Sequence, residues 1–492
     1  RVVVGRHAAI LRPGGRAVAP ALSQSVMNAS SPPPGDDFAT LPLSPALLAN
    51  LQRLGYVRMT PIQAASLPLA LAGTDLIAQA KTGSGKTAAF ALPLLAGLDA
   101  KRFVVQSMVL CPTRELAEQV TQELRRLARA EDNVKVLTLC GGATMRPQVA
   151  SLAHGAHVVV GTPGRILDHL VRETLSLDAL RILVLDEADR MLDMGFAEEI
   201  AGVIARCPRQ RQTLLFSATY PPGVIKLAQR YLRNPQQVTI DERHAPGKIR
   251  QRFYEVREDE RLRAVALLLD HYRPERTLAF CNTKQRCSEL AALLQAQGIV
   301  ALELHGDLEQ RDRDQVLVQF ANRSCSVLVA TDVAARGLDI AGLEAVINVD
   351  VTPDAEVHTH RVGRTGRADE AGWAFSLASR NEMDRVGRID RMQGSDSAWH
   401  ALSELTPSPD PEPLRPPMVT LQILGGRKDK IRPGDVLGAL TKDLGYRADQ
   451  IGKISVGELS TYVAVDRSIA RDAARALNAG KVKGRTVKVR RL

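Results

Sequence analysis

Short apolar runs alternate with helix-length stretches through most of this chain. Between Thr74 and Thr219 the runs are DLIAQA (75–80), SMVLCPT (107–113), KVLTLCG (135–141), HVVVGTP (157–163), RILVLDEAD (181–189) and TLLFSAT (213–219). They are nearly continuous rather than alternating, which predicts strands buried on both faces of a parallel sheet with helices between them. The pattern pauses over the polar stretch Asn234 to Arg250, which contains Pro235, Pro246 and Gly247. It resumes with RTLAFCNT (276–283), VALELHG (300–306), SVLVATD (326–332), AVINVD (345–350) and WAFSLAS (373–379). Two α/β domains in tandem follow from this.

A second break covers Thr406 to Pro417, where six prolines fall within twelve residues. It reads as a stiff linker belonging to neither neighbour. Beyond it the pattern predicts strand 419–424, helix Pro433 to Leu444, strand Gly452 to Val456, strand Thr461 to Val465, helix Ser468 to Asn478 and strand Thr486 to Arg490. That βαββαβ order is the split ferredoxin-like arrangement of RNA recognition motifs, although the topology serves many functions.

Charge sharpens the picture because it is unevenly placed. The chain of 492 residues carries a net charge of +11. Residues 418–492 hold 16 Lys and Arg against 7 Asp and Glu, whereas residues 36–417 are close to neutral. A compact basic segment points to a polyanion, since neutralising phosphates releases counterions; a merely solubilising surface is the plainer alternative. Residues 1–35 contain four arginines and no acid and end in a Ser-Pro run, a composition that cannot offset its ordering entropy. They read either as an organellar presequence or, as preferred here, as translated sequence upstream of a start at Met27. In both cases they are expected to be disordered and outside the fold. The six cysteines form no C-x-x-C pair, which suits reduced thiols in a cytoplasmic protein. No apolar run approaches the roughly 20 residues needed to span a bilayer, so no membrane association is expected.

Candidate chemistry begins at Ala80-Lys81-Thr82-Gly83-Ser84-Gly85-Lys86-Thr87, after one predicted strand and before a helix. Glycines there let backbone N–H groups approach phosphate oxygens at a helix N-terminus. Lys86 would reach the β/γ-phosphates and Thr87 would ligate Mg²⁺. Ala80 stands where the general P-loop pattern has its first glycine. Asp186-Glu187-Ala188-Asp189 closes the run RILVLD at a strand's carboxyl end. Asp186 is placed to hold Mg²⁺, and Glu187 to orient or deprotonate the attacking water.

Residues 186–189 spell the DEAD-box, and landmarks from about 38 to 380 resemble the DEAD-box family of ATP-dependent RNA helicases in order. Phe38, Gly55-Tyr56 and Thr60-Pro61-Ile62-Gln63 look like its adenine-reading motif, which implies that Gln63 pairs with the adenine edge while Phe38 stacks on its face. Ser217-Ala218-Thr219 resembles the motif coupling hydrolysis to strand separation, with Asp189 and His360 as interdomain partners. Asp339, within ATDVAARGLDI, is similar to the family's nucleotide-contacting aspartate. Arg364 and Arg367, within HRVGRTGR, are similar to its arginine fingers. The resemblance therefore implies a nucleotide site of Phe38, Gln63, Thr82, Gly83, Ser84, Gly85, Lys86, Thr87, Asp339, Arg364 and Arg367. The γ-phosphate site would be complete only when the two domains close, so hydrolysis depends on closure.

The same resemblance assigns RNA-backbone contacts to Thr113 and Arg114, Gly142, Thr162 and Arg165 in the first domain. In the second it assigns Thr283, Gly306, Gln310, Arg313, Thr331 and Arg336. Hydroxyls, glycine amides and guanidinium groups suit phosphate and 2′-OH contacts indifferent to base. The last 75 residues look like the RNA-binding domain of the bacterial DbpA-type helicases, implying a 23S rRNA hairpin and pre-50S particles as partners and local opening of RNA structure rather than long-range translocation. Tyr462 is the only aromatic on the two central strands, so RNA is expected against Arg427, Lys428, Lys430, Arg432, Lys481 and Lys483 instead of stacked on the sheet.

The expected fold class is α/β: two tandem RecA-like parallel-sheet domains plus a C-terminal RRM-like domain. The expected bounds are a disordered segment at 1–35, RecA-like domain 1 at 36–235, a linker at 236–250 and RecA-like domain 2 at 251–405. A Pro-rich linker at 406–417 and an RNA-binding domain at 418–492 complete the chain. ATP and Mg²⁺ are the expected cofactors, RNA the expected partner, and DNA is not expected. A helicase without rRNA preference, a P-loop translocase on DNA and a catalytically silent RNA clamp are the alternatives. Lys86, Glu187, Arg364 and Arg367 all stand against the last.

Overall fold

Each near-continuous apolar run becomes a parallel strand. The computed structural model describes residues 2–5, 26–27, 36–80, 83–131, 133–240, 249–335, 342–366, 371–394, 396–410 and 412–492. The chain divides into two units, near residues 1–243 and 244–492, taken here in turn.

In the first unit the parallel strands are β3 (Leu76–Gln79), β4 (Ser107–Leu110), β5 (Val136–Leu139), β6 (Val158–Gly161), β7 (Ile182–Leu185), β8 (Gln212–Ser217) and β9 (Gln236–Ile240). They lie in the order β9-β3-β8-β7-β4-β6-β5. Because all seven run the same way, every carboxyl end lies on one edge of the sheet. Both faces are packed: one cluster includes Phe90, Leu92, Leu124 and Phe216, the other Met108, Leu183, Leu215 and Ile200. Two short strands, β1 (Val2–Gly5) and β2 (Val26–Met27), extend this sheet antiparallel beyond β9. These six residues belong to a segment expected to lie outside the fold; the open edge of β9 provides backbone donors and acceptors for them.

The second unit holds β10 (Ile249–Glu255), β11 (Thr277–Cys281), β12 (Ala301–Leu304), β13 (Val327–Thr331), β14 (Ala345–Asn348), β15 (Gly372–Ala378) and β16 (Trp399–His400). Their order is β12-β13-β11-β14-β15-β10-β16, again parallel. The expected linker at 236–250 is too long, since β9 pairs with β3 and β10 pairs with β15. Both strands were masked by composition. β9 carries only two buried apolar residues, Val238 and Ile240, and β10 alternates apolar residues with Arg250 and Arg252, whose guanidinium groups lie 5.2 Å from the Trp373 ring centroid.

The Pro-rich stretch is also no free linker. Leu414 is buried in the second unit's core, Thr406 N donates to His271 Nδ1 (3.1 Å) and Ser408 N to Asp270 Oδ2 (3.2 Å). Arg273 donates to Glu412 O and Asp410 Oδ2, both at 2.9 Å. It is a strap across the helix Arg261–Tyr272.

The C-terminal domain follows the predicted βαββαβ order with strands β17 (Met418–Leu424), β18 (Ile451–Val456), β19 (Thr461–Asp466) and β20 (Lys488–Arg491), arranged β18-β19-β17-β20. The helix expected at 433–444 is α-helical over Pro433–Gly438 and then widens into a π-turn over Ala439–Asp443. One sheet face packs Leu421, Ile423, Val463 and Val465 on the helices. On the other, Thr420 is fully buried against the second RecA-like domain, its Oγ1 meeting Asn322 Nδ2 (3.1 Å) and Ser324 Oγ (2.8 Å).

A buried guanidinium staples the second RecA-like sheet. Arg261, 1% exposed, donates NH1 to Val349 O (2.8 Å) and Leu377 O (3.0 Å), and NH2 to Glu382 Oε2 (2.6 Å). Arg261→Ala is expected to remove about 3 kcal/mol, because it takes the donor from two carbonyls and one of two cations from the buried Glu382 carboxylate, which keeps Arg385 and Ser379. A urea titration of the full chain by circular dichroism checks this.

Candidate functional site

The strand order of the first domain sorts its loops into two neighbourhoods. The ends of β3, β8 and β7, which are neighbours, carry the Gly-rich loop, Ser217-Ala218-Thr219 and Asp186-Glu187. The ends of β4, β6 and β5 carry Thr113-Arg114, Thr162-Arg165 and Gly141-Gly142. Ligands of open α/β sheets bind at strand carboxyl ends. The two neighbourhoods are thus contiguous along one edge.

At the first, the helix Lys86–Ala96 starts after Gly83 and Gly85, both with positive φ (+86° and +93°), which L side chains rarely adopt. Ser84 and Lys86 are buried, Thr87 is half-buried, and Lys86 Nζ makes no hydrogen bond. Asp186 is 3% exposed and its Oδ1 is likewise without a partner. Burial pushes the Asp186 carboxyl up to about 7, with Lys86 opposing and Glu187 adding to the rise. An orphaned ammonium and an orphaned carboxylate oxygen in one buried place fit a phosphate and a cation respectively. Among the described residues no group of three or more His, Cys, Asp or Glu is arranged to hold a metal. Mg²⁺ is commonly bound by one or two carboxylates plus substrate phosphates and water, a part that the partnerless Asp186 oxygen suits.

The acidic cluster is divided among separate partners. Asp189 Oδ2 accepts from Ala218 N (3.2 Å), Thr219 N (2.9 Å) and Thr219 Oγ1 (2.9 Å), while Ser217 Oγ accepts from Asp189 N (3.3 Å) and donates to Thr219 O (2.8 Å). Burial raises the Asp189 carboxyl, but the Thr219 donors and the Lys86 charge outweigh it and hold it below the usual carboxylate range. Glu187 has left-handed backbone (φ +52°, ψ +53°) and lies 3.2 Å from Arg190 NH1.

The adenine-reading residues differ from expectation. Phe38 is 3% exposed, packed in the core edge-on to Tyr56 at 6.0 Å between centroids, so its ring faces are not open for stacking. Gln63 is 2% exposed; its Oε1 accepts from Thr60 N (2.9 Å) and its Nε2 donates to Gly85 O (3.0 Å). The Gln63 amide therefore clamps the Gly-rich loop and keeps only its second N–H and lone pair for a base.

In the second neighbourhood Thr113 caps the helix Arg114–Leu127 by accepting from Leu116 N (3.3 Å), and Arg114 pairs with Glu118 (2.9 Å). Thr162 stands at the N-cap of Pro163–Val171. Gly142 is exposed at φ +74°. Arg165 donates to Ala143 O (3.0 Å) and Gln148 Oε1 (3.1 Å), so it braces the Gly141-Gly142 loop rather than standing open as an RNA ligand.

In the second domain Thr283, Gly306 and Thr331 lie at the carboxyl ends of the adjacent strands β11, β12 and β13. Thr283 caps its helix through Arg286 N (3.2 Å), Gln310 donates to Asp314 (2.8 Å), and Arg313 donates to Ala334 O (2.8 Å). Arg364 is buried, and His360 lies on the helix Ala355–Val362. Thr82, Arg336, Asp339 and Arg367 lie outside the described residues. Sequence reasoning passed over Arg361, 1% exposed, which binds Asp332 through two 2.7 Å hydrogen bonds, Asn282 Oδ1 (2.9 Å) and Asp350 O (2.7 Å). It fixes the helix bearing His360 to three strand ends. Its adjacency to the arginine-finger pattern was the available signal.

In the C-terminal domain Ile431 and Val482 are buried anchors, and the loops they hold bring Arg427, Lys428, Lys430, Arg432, Lys481 and Lys483 to one end, all exposed. Lys483 Nζ donates to Lys430 O and lies 3.4 Å from Asp435, joining the two loops. Arg485 belongs to the same cluster through Asp429 (3.5 Å), although the expected RNA contacts stopped at Lys483.

Comparison with known proteins agrees with this architecture. Residues 60–227 match the DEAD/DEAH box helicase model, 260–369 the helicase conserved C-terminal domain and 420–491 the DbpA RNA binding domain. The chain is 52% identical over 458 residues to the ATP-dependent RNA helicase DbpA of Escherichia coli K12, covering 92% of this chain and 99% of that protein. It is 43% identical over 355 residues to the DEAD-box ATP-dependent RNA helicase CshA of Geobacillus kaustophilus, covering 72% and 76%. Among solved structures, Saccharomyces cerevisiae Dbp5 bound to RNA and ADP BeF3 aligns with a TM-score of 0.70 at 29% identity, covering 75% of this chain and 97% of that one. The chain belongs to the DEAD-box family of ATP-dependent RNA helicases. Within it, the chain is of the DbpA type, with that group's RNA-binding domain at its C-terminus.

Gly85→Ala is expected to weaken ATP binding by about tenfold or more, since an added Cβ would stand 2.6 Å from Gln63 Nε2 at a positive φ. Titration with a fluorescent ATP analogue measures this.

Proposed function

We propose that this helicase opens structured 23S rRNA in nascent large ribosomal subunits, directed there by its C-terminal domain. The observation that carries this reading is the match of residues 420–491 to the DbpA RNA binding domain, together with 52% identity over nearly the whole length of a DbpA. The exposed basic loops support it, because a cluster that includes Arg427, Lys430, Arg432 and Lys481 suits a folded, phosphate-rich hairpin. Burial of Thr420 supports it too, since that part of the sheet face is closed to stacked bases. The proposed location is the cytoplasm; no helix among the described residues is long and apolar enough to cross a membrane.

In this mechanism Lys86 and the Gly83 and Gly85 amides hold the β/γ-phosphates. Thr87 and Asp186 would hold Mg²⁺, which neutralises charge on the phosphate oxygens. Glu187 orients the attacking water and takes its proton. Arg364 and Arg367 complete the site on closure, with Asp189 and His360 relaying it and Asp339 contacting the nucleotide. Thr113, Arg114, Gly142 and Thr162 grip one stretch of RNA backbone, and Thr283, Gly306, Gln310, Arg313, Thr331 and Arg336 grip the next. Closure then bends the strand and parts it from its complement. Arg165 acts here by bracing Gly142.

Glu187→Gln is expected to lower RNA-stimulated ATP turnover by about 10²-fold or more while ATP and RNA binding persist; turnover near the parent rate would take the base role from Glu187. Removing residues 418–492 is expected to erase preference for the 23S rRNA hairpin and leave weak stimulation by arbitrary RNA. An ATPase assay comparing that hairpin, an unrelated duplex and DNA reads the difference. Equal stimulation of the intact chain by every RNA would refute rRNA targeting.

A further inference from the structure

Arg190 stands one turn along the helix Ala188–Asp193 from the proposed base. Its side chain is 9% exposed and that of Glu187 is 4% exposed, and the pair meets at 3.2 Å. The contact is ionic rather than an aligned hydrogen bond: neither Arg190 NH1 nor Glu187 Oε2 has a hydrogen-bond partner. A buried guanidinium and a buried carboxylate each carry a large desolvation penalty, and breaking such a pair leaves the other charge uncompensated.

The neighbouring acids are engaged elsewhere. Asp189 is held by Ala218 and Thr219, and Asp186 faces Lys86. The backbone adds a second constraint. Glu187 occupies the left-handed region, which costs an L residue with a long side chain about 1–2 kcal/mol and persists only when surroundings over-determine it. The Met191 N to Glu187 O hydrogen bond (3.1 Å) fixes the main chain, and the Arg190 contact fixes the side chain.

We propose that Arg190 is the positioning residue for the Glu187 carboxylate, holding Oε2 so that Oε1 is presented to the attacking water. The inference rests on the reading of Glu187 as base. In this role Arg190 acts through Glu187 rather than on nucleotide or water directly, so its loss is expected to slow the chemical step without weakening ground-state binding.

The test measures RNA-stimulated ATP turnover by the full chain carrying Arg190→Met, which keeps the apolar stem, and Arg190→Lys, which keeps the charge. Arg190→Met is expected to lower kcat by about 10–100-fold with KM for ATP and half-saturating RNA within about twofold, and Arg190→Lys to recover most of the loss. In a Glu187→Gln background, single-turnover phosphate release should fall no further when Arg190→Met is added, since residues acting as one unit are not additive. Parent-like kcat in Arg190→Met overturns the proposal, as does an equal fractional loss in both backgrounds. Loss of ATP-analogue binding by Arg190→Met overturns it as well, by assigning Arg190 to the site's fold. Turnover persisting in Glu187→Gln alone would instead remove the base itself, an outcome that this single variant identifies.

Discussion

Three carboxylates within four residues, Asp186, Glu187 and Asp189, are buried together at the end of β7. Like charges that close would protonate or push apart unless each found its own compensation. The fold provides it from three directions, enough to hold Asp189 below the usual range but only in part for Asp186, which stays raised to about 7. Lys86 comes from the helix after β3, the Ala218 and Thr219 donors come from the end of β8, and Arg190 comes from the next helical turn. Strand order makes this possible, because β3 and β7 flank β8 directly. A sheet that separated β8 from β3 or β7 would leave part of the cluster without these partners, so the candidate site and this part of the topology are one constraint.

The same geometry separates the residues proposed for RNA from those proposed for nucleotide within one domain. Six of the seven parallel strands deliver the loops named above to one edge, three on each side of the boundary between β7 and β4. Rigid links tie these loops to their neighbours: Gln63 to Gly85, Asp189 to Thr219, and Arg165 to the loop after β5. In the second domain Arg361 ties the arginine-bearing helix to Asp332 and Asn282, each one residue from a threonine expected to touch RNA. Two discrete arrangements of such linked loops are what coupling between distant ligands requires.

Much of this was legible in the sequence, for identifiable reasons. Strands buried on both faces are written as apolar runs, so β3 to β8 and β11 to β15 could be read directly. β9 and β10 could not, since their side chains are only partly enclosed and their pairing is decided by the backbone. Lys86, Asp186 and Glu187 were readable because phosphate and metal chemistry restricts residue type and spacing. Gln63, Phe38 and Arg165 were singled out by resemblance, and their packing was not legible. A sequence gives a residue's capacity for hydrogen bonds, and only the fold reveals which partners take them up. The strap at 406–417 escaped for the same reason: prolines mark stiffness, and Leu414 alone signalled burial.

That strap bears on how the basic domain can work. A domain on a loose tether would hold bound RNA at an effective concentration set by the tether's length and flexibility. Here Leu414 is buried, Thr406, Ser408 and Glu412 are hydrogen-bonded to the helix Arg261–Tyr272, and Thr420 is seated on Asn322 and Ser324. The C-terminal domain is therefore an extension of the second RecA-like domain rather than a free hook. On the proposed reading, RNA gripped by Arg427, Lys430 or Lys481 would be held at a fixed position relative to Thr283 and Thr331. Target recognition would then set which neighbouring strand those threonines meet, and the proposed specificity would arise from geometry as much as from contact.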